Sequence, residues 1–362
     1  MLPQLSRRMA SDFPLRGERN HGLQALRGIA ALLVYLQHAI AYANISAPGP
    51  VDILYIFDFG GIGVYIFFVL SGYLMATKVK DPPLKFAMDR MRRIYPTFWI
   101  SVLVAGSLVW AMYGVFGATW PLLLLMPFGE KPQMSLPYWT LYYEMAFYAF
   151  IFFLMIVAKR WVIPLALALL AASYWFWRRP YTVDMQFPDL SQLFLTIYAV
   201  FFFAGILVYV LNLQSFNIPA VYFAISIGFI TISTFFYYLP GIHFLPVWLQ
   251  VDGFYLTKAF GGFFAVCAAL VWVPSGLFGR FLHWIGNLSY GVYLAHLVAI
   301  QAVVYVLLQL GSPVGFWPAL LFCLIGAAPL SIGMGLLDLR VQGYLKARLK
   351  WRGARGPVQV GA

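Results

Sequence analysis

The sequence predicts an all-α, polytopic membrane protein with about ten transmembrane helices and both termini in the cytoplasm, and three observations carry that prediction. The first is composition: of 362 residues 62% are hydrophobic and only 10% charged, at a mean hydropathy of +0.81. A soluble domain carries roughly 25% charged residues. The second is segmentation. Apolar runs near the bilayer-spanning length of about 20 residues recur from Leu23 to Leu337 with short polar breaks, whereas barrel strands would alternate polar and apolar residues. The third is charge placement: with ten spans, all but four of the 24 basic residues fall on one side, which the positive-inside rule makes cytoplasmic.

The chain opens with a basic cytoplasmic segment, 1–22, holding Arg7, Arg8, Arg16 and Arg19. It lacks the apolar core of a cleavable signal, so the first span is expected to be retained. A transmembrane domain, 23–338, follows, with spans at 23–42, 60–78, 94–116, 138–158, 160–177, 192–212, 217–239, 258–277, 285–309 and 316–338. A basic cytoplasmic tail, 339–362, closes the sequence. Lys131, Arg178, Arg179 and Lys258 are the four basic residues on the other side. The net charge of +12 is thus topology and attraction to anionic lipid headgroups, not a nucleic-acid surface. Cys267 and Cys323 lie inside apolar spans with no CxxC spacing, so neither a disulfide framework nor a metal site is expected.

Ionisable side chains inside a bilayer are costly and mark function by default. In the first span, "LRGIAALLVYLQHA", Arg27 and His38 are eleven steps apart, about 20° past three full turns, so they share one helix face. With Arg27 at the cytoplasmic headgroups, His38 sits roughly 16 Å deeper, near mid-bilayer. Glu144, in "PYWTLYYEMAFY", lies six residues into an inward-running span whose Tyr138 and Trp139 suit the outer interfacial belt. That depth, about 9 Å, allows a His38–Glu144 pair. His296, eleven residues into the outward-running ninth span, reaches a similar level. One such histidine is commonly interhelical glue; two histidines and a glutamate converging from separate spans point to a site.

"RMRRIYPTFW" follows the breaker "DPP" and places Arg90 and Arg93 on neighbouring helical positions. They suit either snorkelling anchors or a forked phosphate clamp, and composition does not choose. The glycines Gly60, Gly61, Gly63 and Gly72 fit close helix packing better than nucleotide binding, because no strand precedes them. GxSxG and HxxxxD are absent, so serine-hydrolase and soluble glycerolipid-acyltransferase chemistry have no anchor.

The blocks "LQALRGIAALLVYLQHA", "FFVLSGYLM", "RRIYPTFW", "YWTLYYEMAFY" and "GNLSYGVYLAH", in this order, resemble the acyltransferase-3 family of membrane O-acyltransferases, particularly members acetylating bacterial exopolysaccharides. The likeness covers about residues 23 to 338. It implies a ten-helix or slightly larger bundle in the bacterial inner membrane that moves an acyl group, commonly acetyl from acetyl-CoA, onto a hydroxyl of a surface or exported polysaccharide or its lipid-linked precursor. It makes Arg27 and His38 the essential first-span pair, puts Arg90 and Arg93 in the CoA-handling region, and makes Glu144 the fourth-span acid. One departure stands out: where many relatives read Gly-Val-Asp, this chain has Gly63-Val64-Tyr65, and Asp58 is the nearest substitute. With only a short basic tail after Asp338, the chain is expected to act alone or with separate polysaccharide-assembly partners.

Acyl transfer from a thioester to an alcohol needs a base for the hydroxyl and a stabiliser for the oxyanion. The expected assignment makes His38 the base or a covalent acyl carrier, with Glu144 orienting it. Arg27, Arg90 and Arg93 hold acyl-CoA, and Tyr138, Trp139 and His296 lie on the carbohydrate side. No bound cofactor or metal is expected. Two cavities should then meet near His38, a cytoplasmic one lined by the three arginines and an outer one bordered by Tyr138, Trp139 and Glu144. The competing class is a flippase or transporter of a lipid-linked glycan, in which buried histidine and glutamate relay protons.

Overall fold

In a computed structural model of the chain, residues 20–46, 49, 58–115, 118–126, 137–177, 193–212, 216–238, 247–311 and 314–354 are described. Arg7, Arg8, Arg16, Arg19, Lys131, Arg178, Arg179 and Arg355 lie outside them. The described residues form helices and no strand: α1 His21–Ser46, α2 Phe59–Lys78, α3 Pro83–Tyr113, α4 Trp139–Val157, α5 Val162–Trp177, α6 Ile197–Leu211, α7 Pro219–Tyr238, α8 Val247–Val271, α9 Gly276–Gln309, α10 Phe316–Gly326 and α11 Ala328–Ala354. The protein is therefore an all-α polytopic membrane protein. Among the described residues, six segments are long and apolar enough to cross a bilayer: α1, α2, α3, α4, α9, and the run Phe316–Arg348 through α10 and α11. Three of the other helices contain apolar stretches of 10–17 residues, at Ile197–Leu211, Pro219–Thr234 and Tyr255–Val271.

Cross-chain hydrogen bonds gather the basic ends of these helices. Asn20 Nδ2 donates to Leu270 O, joining the start of α1 to the end of α8, and Gln24 Nε2 donates to Asn287 Oδ1 on α9. Lys159 Nζ reaches Lys80 O, and Arg93 pairs with Asp338. The starts of α1, α3 and α9 and the ends of α2, α4 and α8 thus share one end, called here the basic end.

Between apolar helices in lipid there is little hydrophobic drive, so small residues and close backbone approach hold the bundle together. α1 and α9 form the most extensive helix pair, and glycine makes it possible. A Cβ on Gly28 would strike Leu282 O, and one on Gly286 would strike Gln24 O. α2 meets α6 in the same way, Gly72 against Phe202 O and Gly205 against Val69 O. The glycine cluster of the second span is packing surface: Gly60 lies against Gln37 and Gly63 against Ala30.

Two departures from the expected spans matter for the site. α3 begins at Pro83, well before the expected residue 94, because Pro82 and Pro83 supply a favourable first turn. Beyond its far end the chain doubles back: Tyr95 OH donates to Leu124 O and Trp99 Nε1 to Leu123 O. From Tyr113 to that level the chain returns roughly 20–25 Å along α3, its freed carbonyls satisfied by aromatic donors. α4 then starts inside the bundle. The second departure is α8, which begins at Val247 rather than 258, so Lys258 is a mid-helix residue, 3% exposed and paired with Asp58.

Candidate active site

The register of α1 against α2 sets the depths. Gly60 packs on Gln37 and Gly63 on Ala30 and Val34, so the two helices run antiparallel. His38 therefore lies at the level of the start of α2, and Ser71, further along α2, near the level of Arg27. At 1.5 Å per residue, Arg27 and His38 remain about 16 Å apart along the axis. Two polar centres result.

The first surrounds Arg27. A cavity opens at the basic end between α1, α2, α3, α4 and α9, lined by Arg27, Lys78, Arg90, Arg93, Ser71, Glu144, Tyr148 and Tyr290 among others. Arg27, Phe67, Glu144 and Tyr290 also border a second, narrower space, which continues past Val64, Phe68, Thr140 and Ser289 to Tyr293. Four cations thus face this opening. Among the described residues the Nε atoms of Arg27 and Arg90 are buried without a hydrogen-bond partner, an arrangement costly to maintain unless an anion completes it.

Glu144 belongs to this centre. Ser71 Oγ and Tyr148 OH both donate to its Oε1, at 2.9 and 2.8 Å, and it makes no hydrogen bond to His38 among the described residues. The expected His38–Glu144 pair is therefore not formed. The depth count assumed that α4 starts at the outer boundary, whereas the doubled-back chain starts it within the bundle. For the same reason Tyr138 and Trp139 are not at an outer opening. Tyr138 is 2% exposed, its hydroxyl 2.6 Å from Ser101 Oγ and its ring edge-on to Phe98. Trp139 packs on Tyr143 and Tyr198.

The second centre joins the two histidines. His296 Nδ1 lies 2.7 Å from Tyr293 O, an acceptor only, so that nitrogen carries the proton and Nε2 presents a lone pair. Nε2 faces His38 Nδ1 at 3.3 Å, and His38 Nδ1 also lies 2.9 Å from Val34 O. His38 Nδ1 therefore holds the hydrogen, shared between two acceptors, and Nε2 is left unprotonated with no protein partner among the described residues. His296 does for His38 what the sequence assigned to Glu144. His296 is in turn held by Tyr293, whose hydroxyl donates to Pro137 O at 2.6 Å and receives Thr140 Oγ1 at 2.6 Å. Tyr293 both backs His296 and closes the inner chamber, so one residue links the two centres. His38 lines neither cavity.

The model of the acyltransferase-3 family, described as an acyltransferase domain, matches residues 20–336. The chain belongs to this family. Among curated proteins it resembles the exopolysaccharide production protein ExoZ of Rhizobium meliloti (strain 1021), 31% identical over 129 residues, covering 32% of this chain and 41% of that protein. It also resembles the acyltransferase MdmB of Streptomyces mycarofaciens, 32% identical over 151 residues, covering 37% of this chain and 39% of that protein. The chain thus matches less than half the length of either relative. No solved structure matches it.

Within this acyltransferase-3 chain, sequence reasoning missed Lys78, Ser71, Tyr148 and Asp338. Asp338, 0% exposed, marked only the end of the last span. The rule that singled out Glu144, an acid inside an apolar run, applies to it equally. Asp58, the suggested substitute for the missing aspartate, pairs with Lys258, whose ammonium also lies 5.4 Å from the Tyr65 ring centre. The residue that replaces the aspartate thus covers the cation of an ion pair.

Proposed function

We propose that the protein is an integral inner-membrane O-acyltransferase of a bacterium, moving acetyl from acetyl-CoA to a hydroxyl of an exported polysaccharide or its lipid-linked precursor. The observation that carries this reading is the cavity at the basic end, where four cations and two unpartnered guanidinium nitrogens await a polyanion. The cytoplasm is the side on which CoA is available, and the positive-inside rule puts the basic end there. CoA phosphates sit among Lys78, Arg90, Arg93 and Arg27. The uncharged pantetheine arm follows the inner chamber toward Tyr293 and the histidine pair, a rise of about 16 Å from Arg27 to His38. The family match and the names of the two relatives support acyl transfer and a polysaccharide context.

The chemistry follows from the tautomers. His38 Nε2 takes the proton of the acceptor hydroxyl as its oxygen attacks the thioester carbonyl carbon. The tetrahedral intermediate collapses with cleavage of the C–S bond, and the departing CoA sulfur takes the proton from His38 Nε2. During the step His38 is an imidazolium whose Nδ1–H is held by Val34 O and His296 Nε2. Substrate entry requires the side chains around Tyr293 to open, since His38 lines neither cavity in this state.

The test is thiol release from acetyl-CoA by purified protein, combined with mass spectrometry of host polysaccharide with and without the gene. Thiol release dependent on an added glycan and loss of acetyl from the polysaccharide are expected. Activity that requires a proton gradient and releases no thiol would overturn the reading in favour of transport.

A further inference from the structure

Arg93 is not free in the way Arg90 is. Its Nη1 donates to both carboxylate oxygens of Asp338, each at 2.8 Å, while Thr97 Oγ1, one turn along α3, donates to Asp338 Oδ1 at 2.7 Å. Asp338 is fully buried and Arg93 partly exposed, 1% against 30% for the side chains, and the guanidinium lies 4.7 Å over the Tyr290 ring. One turn further along α11, Gln342 Nε2 donates to the carbonyls of Arg92 and Arg93. The last helix therefore grips the arginine turn of α3 at both side chain and backbone. An anchor that merely snorkels to headgroups would need neither a buried carboxylate nor the hydrogen bonds of Thr97 and Gln342 around it.

We infer that Asp338 is a positioning residue for the donor site: it fixes Arg93 by one nitrogen so that the rest of the fork stays aimed into the basic cavity for a phosphate of the nucleotide portion of the donor. The inference rests on the proposed CoA reading and adds a function for α11 to it. Asp338 touches no substrate and acts through Arg93. Arg90, with its buried Nε unpartnered, is the arginine held ready by packing alone, and Arg93 the one held by charge. Without Asp338 the Arg93 fork loses its fixed direction, and phosphate recognition weakens while the path to the histidines is unchanged.

The test compares two donors, acetyl-CoA and acetyl-pantetheine, which carries the same thioester without phosphates, on wild type, Asp338→Asn and Arg93→Gln. Wild type is expected to prefer acetyl-CoA strongly. Asp338→Asn should raise KM for acetyl-CoA about tenfold with little change in kcat, leave acetyl-pantetheine turnover unaltered, and add little to Arg93→Gln in the double variant. Should Asp338→Asn fail to fold, Thr97→Val, which removes only the third hydrogen bond to Asp338, carries a smaller defect confined to acetyl-CoA. Equal impairment on both donors, by either variant, would overturn the positioning role and make the ion pair structural. A wild type indifferent to the phosphates would instead overturn the CoA reading of the cavity, and the inference with it.

Discussion

Around Arg27 four cations face the carboxylates of Glu144 and Asp338, and two guanidinium nitrogens are left without partners among the described residues. Around His38, about 16 Å away along α1, the polar groups are two imidazoles, and three of their four nitrogens are tied to each other or to backbone carbonyls. On the proposed function, the difference separates binding from chemistry. A site that holds a charged, water-soluble donor can stay hydrated and unsaturated at one end of the bundle. A base needs an oriented, uncharged imidazole, and here the ring is oriented by its hydrogen bonds to Val34 O and His296 Nε2. Arg27 and His38 share a helix face, so a single straight helix carries both demands at a fixed spacing.

That division can be broken by substitution. The largest effect is expected at the base: His38→Ala should lower kcat by about 10³-fold or more while the protein still inserts, checked by thiol release and by gel filtration in detergent. Near-normal turnover would remove His38 from the chemistry. Next comes His296→Phe, which keeps the ring volume but removes the acceptor for His38 Nδ1. A loss in kcat of roughly 10–100-fold at unchanged donor KM is expected, whereas an orienting Glu144 would leave this variant active.

On the binding side, replacing both Arg90 and Arg93 with Gln should raise KM for acetyl-CoA about 10–100-fold with a much smaller effect on kcat, since a phosphate clamp acts alike on ground and transition states. Unchanged KM with altered topology would return both residues to the role of membrane anchors. The smallest effect is expected for Tyr148→Phe, which removes one of the two donors to Glu144 Oε1. A change of a few-fold in donor KM, with kcat intact, would place Glu144 with the cavity rather than with the base.

Much of this was legible from residue order. The spacing of Arg27 and His38 fixed their shared face because helical geometry is local. His296 reached polar surroundings for the same reason that it stood out, as an ionisable group in an apolar run. What was not legible came from chain path. Depth counts for Glu144, Tyr138 and Trp139 assumed that every span begins at the membrane boundary, and the return of the chain along α3, held by Tyr95 and Trp99, moved that origin. The partnership of Arg93 with Asp338, 245 residues apart, leaves no periodic trace at all.

The close packing of α1 on α9 has a consequence for how the protein is made. α1 leaves the ribosome before the other described helices, carrying an arginine and a histidine into the translocon or the lipid beside it. The surface that receives it, Gly286 against Gln24 and His296 against His38, is synthesised more than 240 residues later. Until then those polar groups must be shared with water, lipid headgroups or an insertion chaperone, so α1 waits through most of synthesis for its most extensive partner. Side chains added at Gly286 would lengthen that exposed interval, and they should appear first as degraded nascent protein rather than as a slow enzyme.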